Sequence, residues 1–114
     1  MLENLNGVVS VSNGATLRFM GDAADAPIIR KLAIDATSGG TIDGFALADN
    51  CELDVTNVPD AKDFELPVTF INLPSSLSPK GWTVKFNGTV KRRTLSFANG
   101  KLTVHAYGMA VMIR

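Results

Sequence analysis

The sequence predicts an all-β domain, and two observations carry this prediction. First, apolar and polar residues alternate along several extended segments, which include CELDV (51–55), FELPVTF (64–70), WTVKF (82–86), KLTVHA (101–106) and GMAVMIR (108–114). Alternation with a period of two is typical of strands that bury one face against a core. Second, Gly, Pro, Asn, Asp and Ser separate these segments and leave room for about eight or nine strands.

One segment, DAADAPIIRKLAID (22–35), could instead form a helix. Asp25 could cap such a helix, and Pro27 would suit an early helical position. The apolar residues between 28 and 34 form no stripe with a period of 3.6, whereas Leu32, Ile34 and Ala36 alternate well. We therefore predict a loop with a helical turn over residues 23–27 and a strand over residues 30–36.

Asn-Gly pairs predict the sharpest chain reversals, since both residues tolerate positive φ. At Asn99-Gly100 the flanking segments TLSF and KLTV predict a β-hairpin. At Asn13-Gly14 the flanking segments fit either a hairpin or the corner of a solenoid. Similar turn-then-strand units begin near Gly39 and Asp49, about one short coil of a β-helix apart. The repeat is loose, so the sequence leaves open a β-sandwich and a short β-helix or solenoid closed by antiparallel C-terminal strands.

Length and charge narrow the class of protein. A chain of 114 residues is long enough for one domain with a single core, so we predict one all-β domain over residues 1–114. Eleven basic and eleven acidic side chains balance, which disfavours nucleic acid and anionic lipid as partners. The chain has no apolar run long enough to span a bilayer. Residues 1–12 lack the features of a secretory signal, which suggests either a cytoplasmic protein or a fragment with an added initiator Met.

The sequence predicts no catalytic, cofactor-binding or metal-binding residue. His105 lies on the predicted solvent face of its strand, and no second His is available to share a metal ion. Cys51 alternates with Leu53 and Val55, so we expect a small buried side chain. A thiol nucleophile or a serine triad would need His105 as its base, and no G-x-S-x-G motif is present.

Acidic residues, basic residues and aromatic residues each offer one further candidate site. Two carboxylate clusters could bind Ca²⁺ or hydrolyse a glycoside, although we expect them to be solvated strand faces: Asp49, Glu52 and Asp54, and Asp60, Asp63 and Glu65. The run Lys91, Arg92 and Arg93 is expected to protect an edge strand. Trp82 and Tyr107 could stack on a sugar ring, but the alternation of Trp82 with Val84 and Phe86 favours the core.

The chain resembles a family of bacterial surface proteins in two places. Residues 5–19, LNGVVSVSNGATLRF, look like the unit of autotransporter-associated β-strand repeat proteins, in which a strand, a Gly corner and a GATL strand recur. Residues 79–114 are similar to the C-terminal ends of large repeat-rich surface proteins of anaerobic gut and rumen bacteria. Gly81-Trp82, Asn87-Gly88, Asn99-Gly100 and residues 108–114 carry this second likeness.

The resemblance implies a secreted or surface-exposed, β-rich protein without known catalytic residues. It also implies that residues 1–114 are the C-terminal fragment of a larger repeat protein, with Met1 an added start. We therefore expect a structural or capping module, adhesive in some settings, whose partners are upstream repeats of the same polypeptide and a glycan or host surface. A glycan-binding module is the alternative, and a polysaccharide-active enzyme fragment is the third. Met109, Val111 and Ile113 predict a buried last strand, reached by a bend at Gly108.

Overall fold

The computed structural model describes residues 4–106, which form two mixed β-sheets with almost no helix. The strands are β1 (Asn4–Val11), β2 (Ala15–Arg18), β3 (Ile28–Asp35), β4 (Gly40–Asp43), β5 (Ala46–Thr56), β6 (Phe64–Ile71), β7 (Thr83–Phe86), β8 (Thr89–Lys91), β9 (Thr94–Ala98) and β10 (Lys101–His105). The all-β prediction is confirmed, with ten strands among these residues where eight or nine were expected. The predicted strand over 30–36 corresponds to β3, and a 3₁₀ turn at Ala23–Asp25 occupies the predicted loop.

The chain passes back and forth between the two sheets. The first sheet has the order β1-β3-β5-β7-β8, and the second has the order β2-β4-β6-β10-β9. β1, β3, β5 and β7 are mutually parallel, as are β2, β4 and β6. We call β1 with β2 the first level, β3 with β4 the second level, and β5 with β6 the third level. Each level thus contributes one strand to each sheet, and the first and second levels each pair with the level that follows.

Parallel register places similar residues of successive strands directly beside one another. We call each such set of register partners a column. Apolar columns of the first sheet are Val9–Leu32–Leu53–Val84 and Val11–Ile34–Val55–Phe86, and an apolar column of the second sheet is Leu17–Ile42–Phe70. Buried residues of both sheets form one hydrophobic cluster. The period-two alternation of the sequence therefore becomes an inward apolar face on each sheet.

Asn residues lie at the chain reversals that follow several strands. Five of them adopt positive φ: Asn13, Asn57, Asn72, Asn87 and Asn99. Asn99-Gly100 joins β9 to its antiparallel partner β10, so the predicted hairpin is confirmed. Asn13-Gly14 instead joins β1 to β2, which lie in different sheets. The hairpin that the sequence left open at this pair therefore does not form, and the pair is a corner between the two sheets.

The sequence-based prediction of a turn near Asp49 is wrong. Asp49 lies inside β5, and this part of the strand is irregular. The register between β3 and β5 shifts here, from the pair Ile29 with Leu47 to the pair Lys31 with Glu52. A β-bulge accommodates the extra residues of β5 without ending the strand. Polar residues that look like a turn in the sequence are therefore the exposed part of a bulge.

Antiparallel strands lie at the end of the molecule opposite the first level. β8 pairs with β7 in the first sheet, while β10 pairs with β6 and β9 pairs with β10 in the second sheet. The antiparallel C-terminal strands expected from the sequence are therefore present as far as residue 106. The last predicted strand, which holds Met109, Val111 and Ile113 after the bend at Gly108, lies outside the described residues.

Candidate functional site

On one side of the molecule, the outermost strand of each sheet is hydrogen-bonded to a neighbouring strand along one edge only. Within residues 4–106, β1 pairs with β3 and β2 pairs with β4, and each is the outermost strand of its sheet. We call the outer edges of β1 and β2 the first-level edge. The unpaired edge of such a strand presents a row of backbone N–H and C=O groups that can pair with another strand. The first-level edge is therefore the candidate functional site of this chain.

The residues of the first-level edge do little to prevent strand pairing. β1 contains no charged residue, and Arg18 is the single charge of β2. Val8 of β1 is 61% exposed. Natural edge strands are commonly protected by charges, by Pro or by bulges that turn them away from solvent. Among these devices, β1 has only the register irregularity between Leu5 and Val8.

The opposite end of the molecule differs from the first-level edge in its antiparallel strand pairing and in the basic residues between its outermost strands. β8 has three residues, and the run Lys91, Arg92 and Arg93 connects it to β9. The Arg93 guanidinium lies 5.2 Å from the centre of the Phe86 ring, a cation–π contact that covers the end of an apolar column. The sequence-based prediction that this run protects an edge strand agrees with the place of Lys91 in β8, the outermost strand of the first sheet.

A column that begins with the polar side chains of Arg18 and Asp43 runs inward from the first-level edge in the second sheet, and Asn72 bonds to Asp43 from the residue after β6. Arg18 Nε donates to Asp43 Oδ2 over 2.8 Å, and Asn72 Nδ2 donates to Asp43 Oδ1 over 2.8 Å. Asp43 is the buried charged residue of the described part of the chain, and the Arg18 side chain is 55% exposed. The Asn72 amide, followed by Arg18, lowers the pKa of the Asp43 carboxyl, so Asp43 stays ionised and ties three successive levels together.

A groove of about 340 Å³ lies beside this column, lined in part by Phe19, Met20 and Gly21. Phe19 packs edge-to-face on Phe45, with the ring centres 6.2 Å apart. The Phe19 amide donates to the Asp43 carbonyl over 2.9 Å, so the corner of the first level is held against the corner of the second. The backbone that leaves Arg18 is therefore fixed by the level beneath it.

Polar side chains also connect neighbouring strands of the first sheet, here between residues that are not register partners. Lys85 Nζ donates to Glu52 Oε1 over 2.9 Å, which raises the pKa of Lys85 and lowers the pKa of Glu52. The Gly88 amide donates to Asp54 Oδ1 over 3.0 Å. Glu52 and Asp54 lie on the outward face of β5, as the sequence predicted, and their partners belong to β7 and to the turn that follows it. These carboxylates connect neighbouring strands.

The two carboxylate clusters that the sequence raised do not come together as a metal site. The described residues contain no group of three or more His, Cys, Asp or Glu side chains that could hold a metal ion. Asp49 is exposed in the bulge of β5, whereas Asp60, Asp63 and Glu65 are exposed around the start of β6. The first cluster lies on β5 and the second lies around the start of β6, so the two clusters belong to different sheets.

Cys51 is fully buried within β5, as the sequence predicted. Burial raises the pKa of the thiol to about 12, with a smaller contribution from the Glu52 carboxylate. Because the thiolate is the nucleophilic form, a thiol with this pKa is inert near neutral pH. Cys51 is therefore a small apolar residue of the core.

His105 has two polar neighbours that sequence reasoning missed. Ser96 Oγ and His105 Nε2 are 2.8 Å apart across the β9–β10 hairpin, and Asp63 Oδ2 lies 3.7 Å from His105 Nδ1. The register of the hairpin, which places Ser96 opposite Thr103, could have shown that Ser96 lies near His105. No signal in the sequence connects Asp63 to them.

This cluster lacks the geometry of an acyl-transfer site. The contact of 3.7 Å between Asp63 and His105 exceeds hydrogen-bonding distance, and Asp63 Oδ1 already accepts from the Ala106 amide over 2.9 Å. Ser96 and Asp63 are both exposed. Such a site needs hydrogen-bond donors oriented toward the developing oxyanion, which usually make the largest single contribution to catalysis. The contacts of Ser96, His105 and Asp63 with the other described residues include no such donors.

Trp82 lies in the core, as the sequence predicted. It is 8% exposed, and its indole N–H donates to the Ala48 carbonyl over 3.1 Å. An aromatic ring that stacks on a sugar needs an exposed face. Trp82 is therefore not a sugar-stacking platform, and Tyr107, the second aromatic candidate, lies outside the described residues.

Comparisons with known proteins add nothing to this geometry. A scan of protein-family models and searches of curated proteins and of solved structures find no match to this chain. Among residues 4–106, no helix has the length and apolar character needed to cross a membrane.

Proposed function

We propose that this chain is a non-enzymatic structural module that closes one end of a larger stacked β-sheet protein. In this proposal the two sheets are a short β-solenoid, each level is one coil, and a preceding coil of the same polypeptide stacks on the first-level edge. The observation that carries the proposal is the contrast between the two ends. Both sheets end together in parallel strands with a single charge at one end, and in antiparallel strands joined by basic residues at the other.

Solenoid physics supports this assignment of the two ends. A stack of coils exposes unpaired backbone groups and apolar surface at each terminus, and it needs a cap to stay soluble. Features of a cap are present in β8, in β9 and in the run Lys91, Arg92 and Arg93, because they replace parallel pairing by antiparallel pairing and add charge. The first-level edge supplies a surface that continues the existing columns. The module would thus join a stack on one side and end it on the other.

The resemblance of residues 5–19 and 79–114 to repeat-rich bacterial surface proteins supports a location outside the cell. In that setting the parent protein would be a secreted or cell-surface solenoid, with an adhesive role for the stack as a whole. The module itself would contribute stability and solubility. We propose no catalytic residue, cofactor or metal for it.

An extended chain tests whether the first-level edge accepts another level. A copy of residues 28–43, followed by a copy of residues 19–27 as the connection, is placed directly ahead of Asn4. This design repeats the second level and the natural passage from β2 to β3. We expect the melting temperature to rise by several degrees, and the outward amides of β1 and β2 to become protected from hydrogen exchange.

The control is an extension of the same composition in scrambled order, which cannot alternate in register with β1 and β2. It should leave both the melting temperature and the exchange of β1 unchanged. If the true copy exchanges as fast as an unfolded peptide and protects nothing in β1 or β2, the edge does not accept a level, and the capping proposal is wrong.

A glycan-binding module is the second candidate, and one groove favours it. A groove of about 620 Å³ beside the bulge of β5 is lined by groups that can bond to sugar hydroxyls, among them Arg30, Asp49, Asn50 and Ser75. Retardation in native gels cast with polysaccharides would detect such binding. The paired change Asp49→Ala and Asn50→Ala should abolish retardation if the groove binds a glycan, and the structural proposal expects no retardation in either protein.

A further inference from the structure

Arg18 occupies the one charged position of the first-level edge. It heads the column Arg18–Asp43–Ile71 of the second sheet, and its neighbour on the inner side is Asp43. Its bond to Asp43 uses Nε, while a guanidinium carries five N–H donors. Among residues 4–106, the terminal guanidinium nitrogens have no hydrogen-bonding partner, and the side chain is 55% exposed. Arg18 therefore retains donors that can bind a second acceptor on its outer side.

We propose that Arg18 fixes the register of the strand that stacks on β2, by binding an Asp or Glu side chain at the position directly beside it. This inference rests on the proposed function, in which a preceding level occupies the first-level edge. The occupant is a parallel pair of strands with apolar residues over the columns of Val9, Val11 and Leu17 and a carboxylate over Arg18. Arg18 would then lie between two carboxylates, one from each neighbouring level.

Charge favours this occupant over a second copy of the chain. β1 and β2 contain no Asp or Glu, so a second first-level edge would supply another Arg18 but no carboxylate from these strands. A preceding level with an acidic residue in register supplies the missing charge. The contact repeats the one that Arg18 already makes with Asp43, so it continues an interface present within the chain.

The apolar columns alone cannot specify the register of an added level. Val9 and Val11 are identical residues two positions apart on β1, so a shift of two residues keeps valine against the added strand. A shift of two residues also keeps the inward face inward, because side chains alternate with a period of two. A charged column reduces this degeneracy where the two charged residues are direct register partners, as Arg18 and Asp43 are.

A double-mutant cycle in the extended chain tests the inference. The copied residues 28–43 place a second Asp43 in the column of Arg18. Four proteins are compared in urea unfolding: the extended chain, its Arg18→Gln variant, its variant with the copied Asp43 changed to Ala, and the variant with both changes. Native Asp43 is retained in all four, so the cycle isolates the coupling between Arg18 and the copied carboxylate. We expect a coupling of about fivefold to tenfold in the unfolding equilibrium constant, weakened by salt.

The outcomes separate the two proposals. If the copied level is protected from hydrogen exchange but the coupling is within error of zero, the stacking proposal stands and the role of Arg18 is wrong. If the copied level is unprotected, the stacking proposal fails and the inference fails with it. If the unextended chain sediments as a dimer that Arg18→Gln strengthens, a second copy occupies the edge, and the acidic partner is wrong.

Discussion

Asn57 Nδ2 donates to Asp35 Oδ1 over 3.1 Å, which ties the end of β5 to the end of β3. The same carboxylate accepts from the Thr37 amide over 2.8 Å and from the Thr37 hydroxyl over 2.6 Å. These bonds, those of Thr37 first, lower the pKa of Asp35 from 3.8 to about 2. Asp35 therefore holds one corner of the second level against the third most strongly while it is ionised.

This carboxylate makes the fold sensitive to acid. Because its pKa is lower in the folded state, its stabilising effect is complete above the unfolded pKa and is lost as the pH falls from about 4 toward 2. Asp35→Asn should lower the free energy of unfolding at pH 7 and flatten its decline between pH 4 and 2, as urea titrations at each pH would show. Asp60→Asn, in an exposed loop, is the control and should follow the wild type. A wild-type slope in Asp35→Asn would contradict the assignment.

Trp82 should be required for folding. Trp82→Ala removes a large buried side chain, and we expect a loss of about 3–5 kcal/mol in the free energy of unfolding. Trp82→Phe keeps most of the apolar contact but leaves the Ala48 carbonyl without its donor, which should cost about 1–3 kcal/mol. Wild-type tryptophan fluorescence should be blue-shifted and protected from acrylamide. A stable Trp82→Ala protein that no longer retards on polysaccharide gels would favour the glycan-binding module.

Gly39 and Gly14 form a matched pair for testing the corners. Both have positive φ, of 54° and 72°, so Ala at either position is strained, at a cost of about 1–2 kcal/mol. A Cβ at Gly39 would lie 2.2 Å from the Pro67 carbonyl oxygen, whereas a Cβ at Gly14 would meet nothing within 4 Å. Gly39→Ala should therefore destabilise the protein clearly more than Gly14→Ala in thermal melts. Equal losses would show that the corner of the second level does not pack against β6 as described.

Cys51 should report on unfolding through its thiol. In the folded protein, burial and a pKa of about 12 should make labelling by Ellman's reagent at pH 8 negligible. In urea, the labelling rate should rise in parallel with the loss of secondary structure measured by circular dichroism. Rapid labelling in native buffer would mean that β5 opens locally and that the core is less closed than the structure indicates.

Ser96 should have no catalytic role despite its contact with His105. We expect the protein to hydrolyse p-nitrophenyl acetate no faster than Ser96→Ala or His105→Gln, since the cluster has a long contact to Asp63. The two variants control for each other, because one removes the candidate nucleophile and the other the candidate base. A loss of more than tenfold in both variants would revive an enzymatic reading of this hairpin.

The sequence by itself determined the strands, their inward faces and many of the reversals. Cys51, Leu53 and Val55 alternate with polar residues, and a strand must then turn all three toward one side because successive side chains point to opposite faces. Asn99-Gly100 predicted its hairpin because the pair tolerates positive φ and joins two segments that can pair locally. These features depend on neighbours in the sequence, so the sequence shows them directly.

Only the tertiary structure decided which strands pair and which polar groups meet. Asn13-Gly14 has the same local chemistry as Asn99-Gly100, yet it forms a corner because β1 finds its partner in β3, beyond β2. The bulge at Asp49 and the contacts of Arg18 with Asp43 and of Asp63 with His105 also depend on register between distant segments. Parallel pairing is set by the total burial of all levels together, and no short stretch of sequence carries that information.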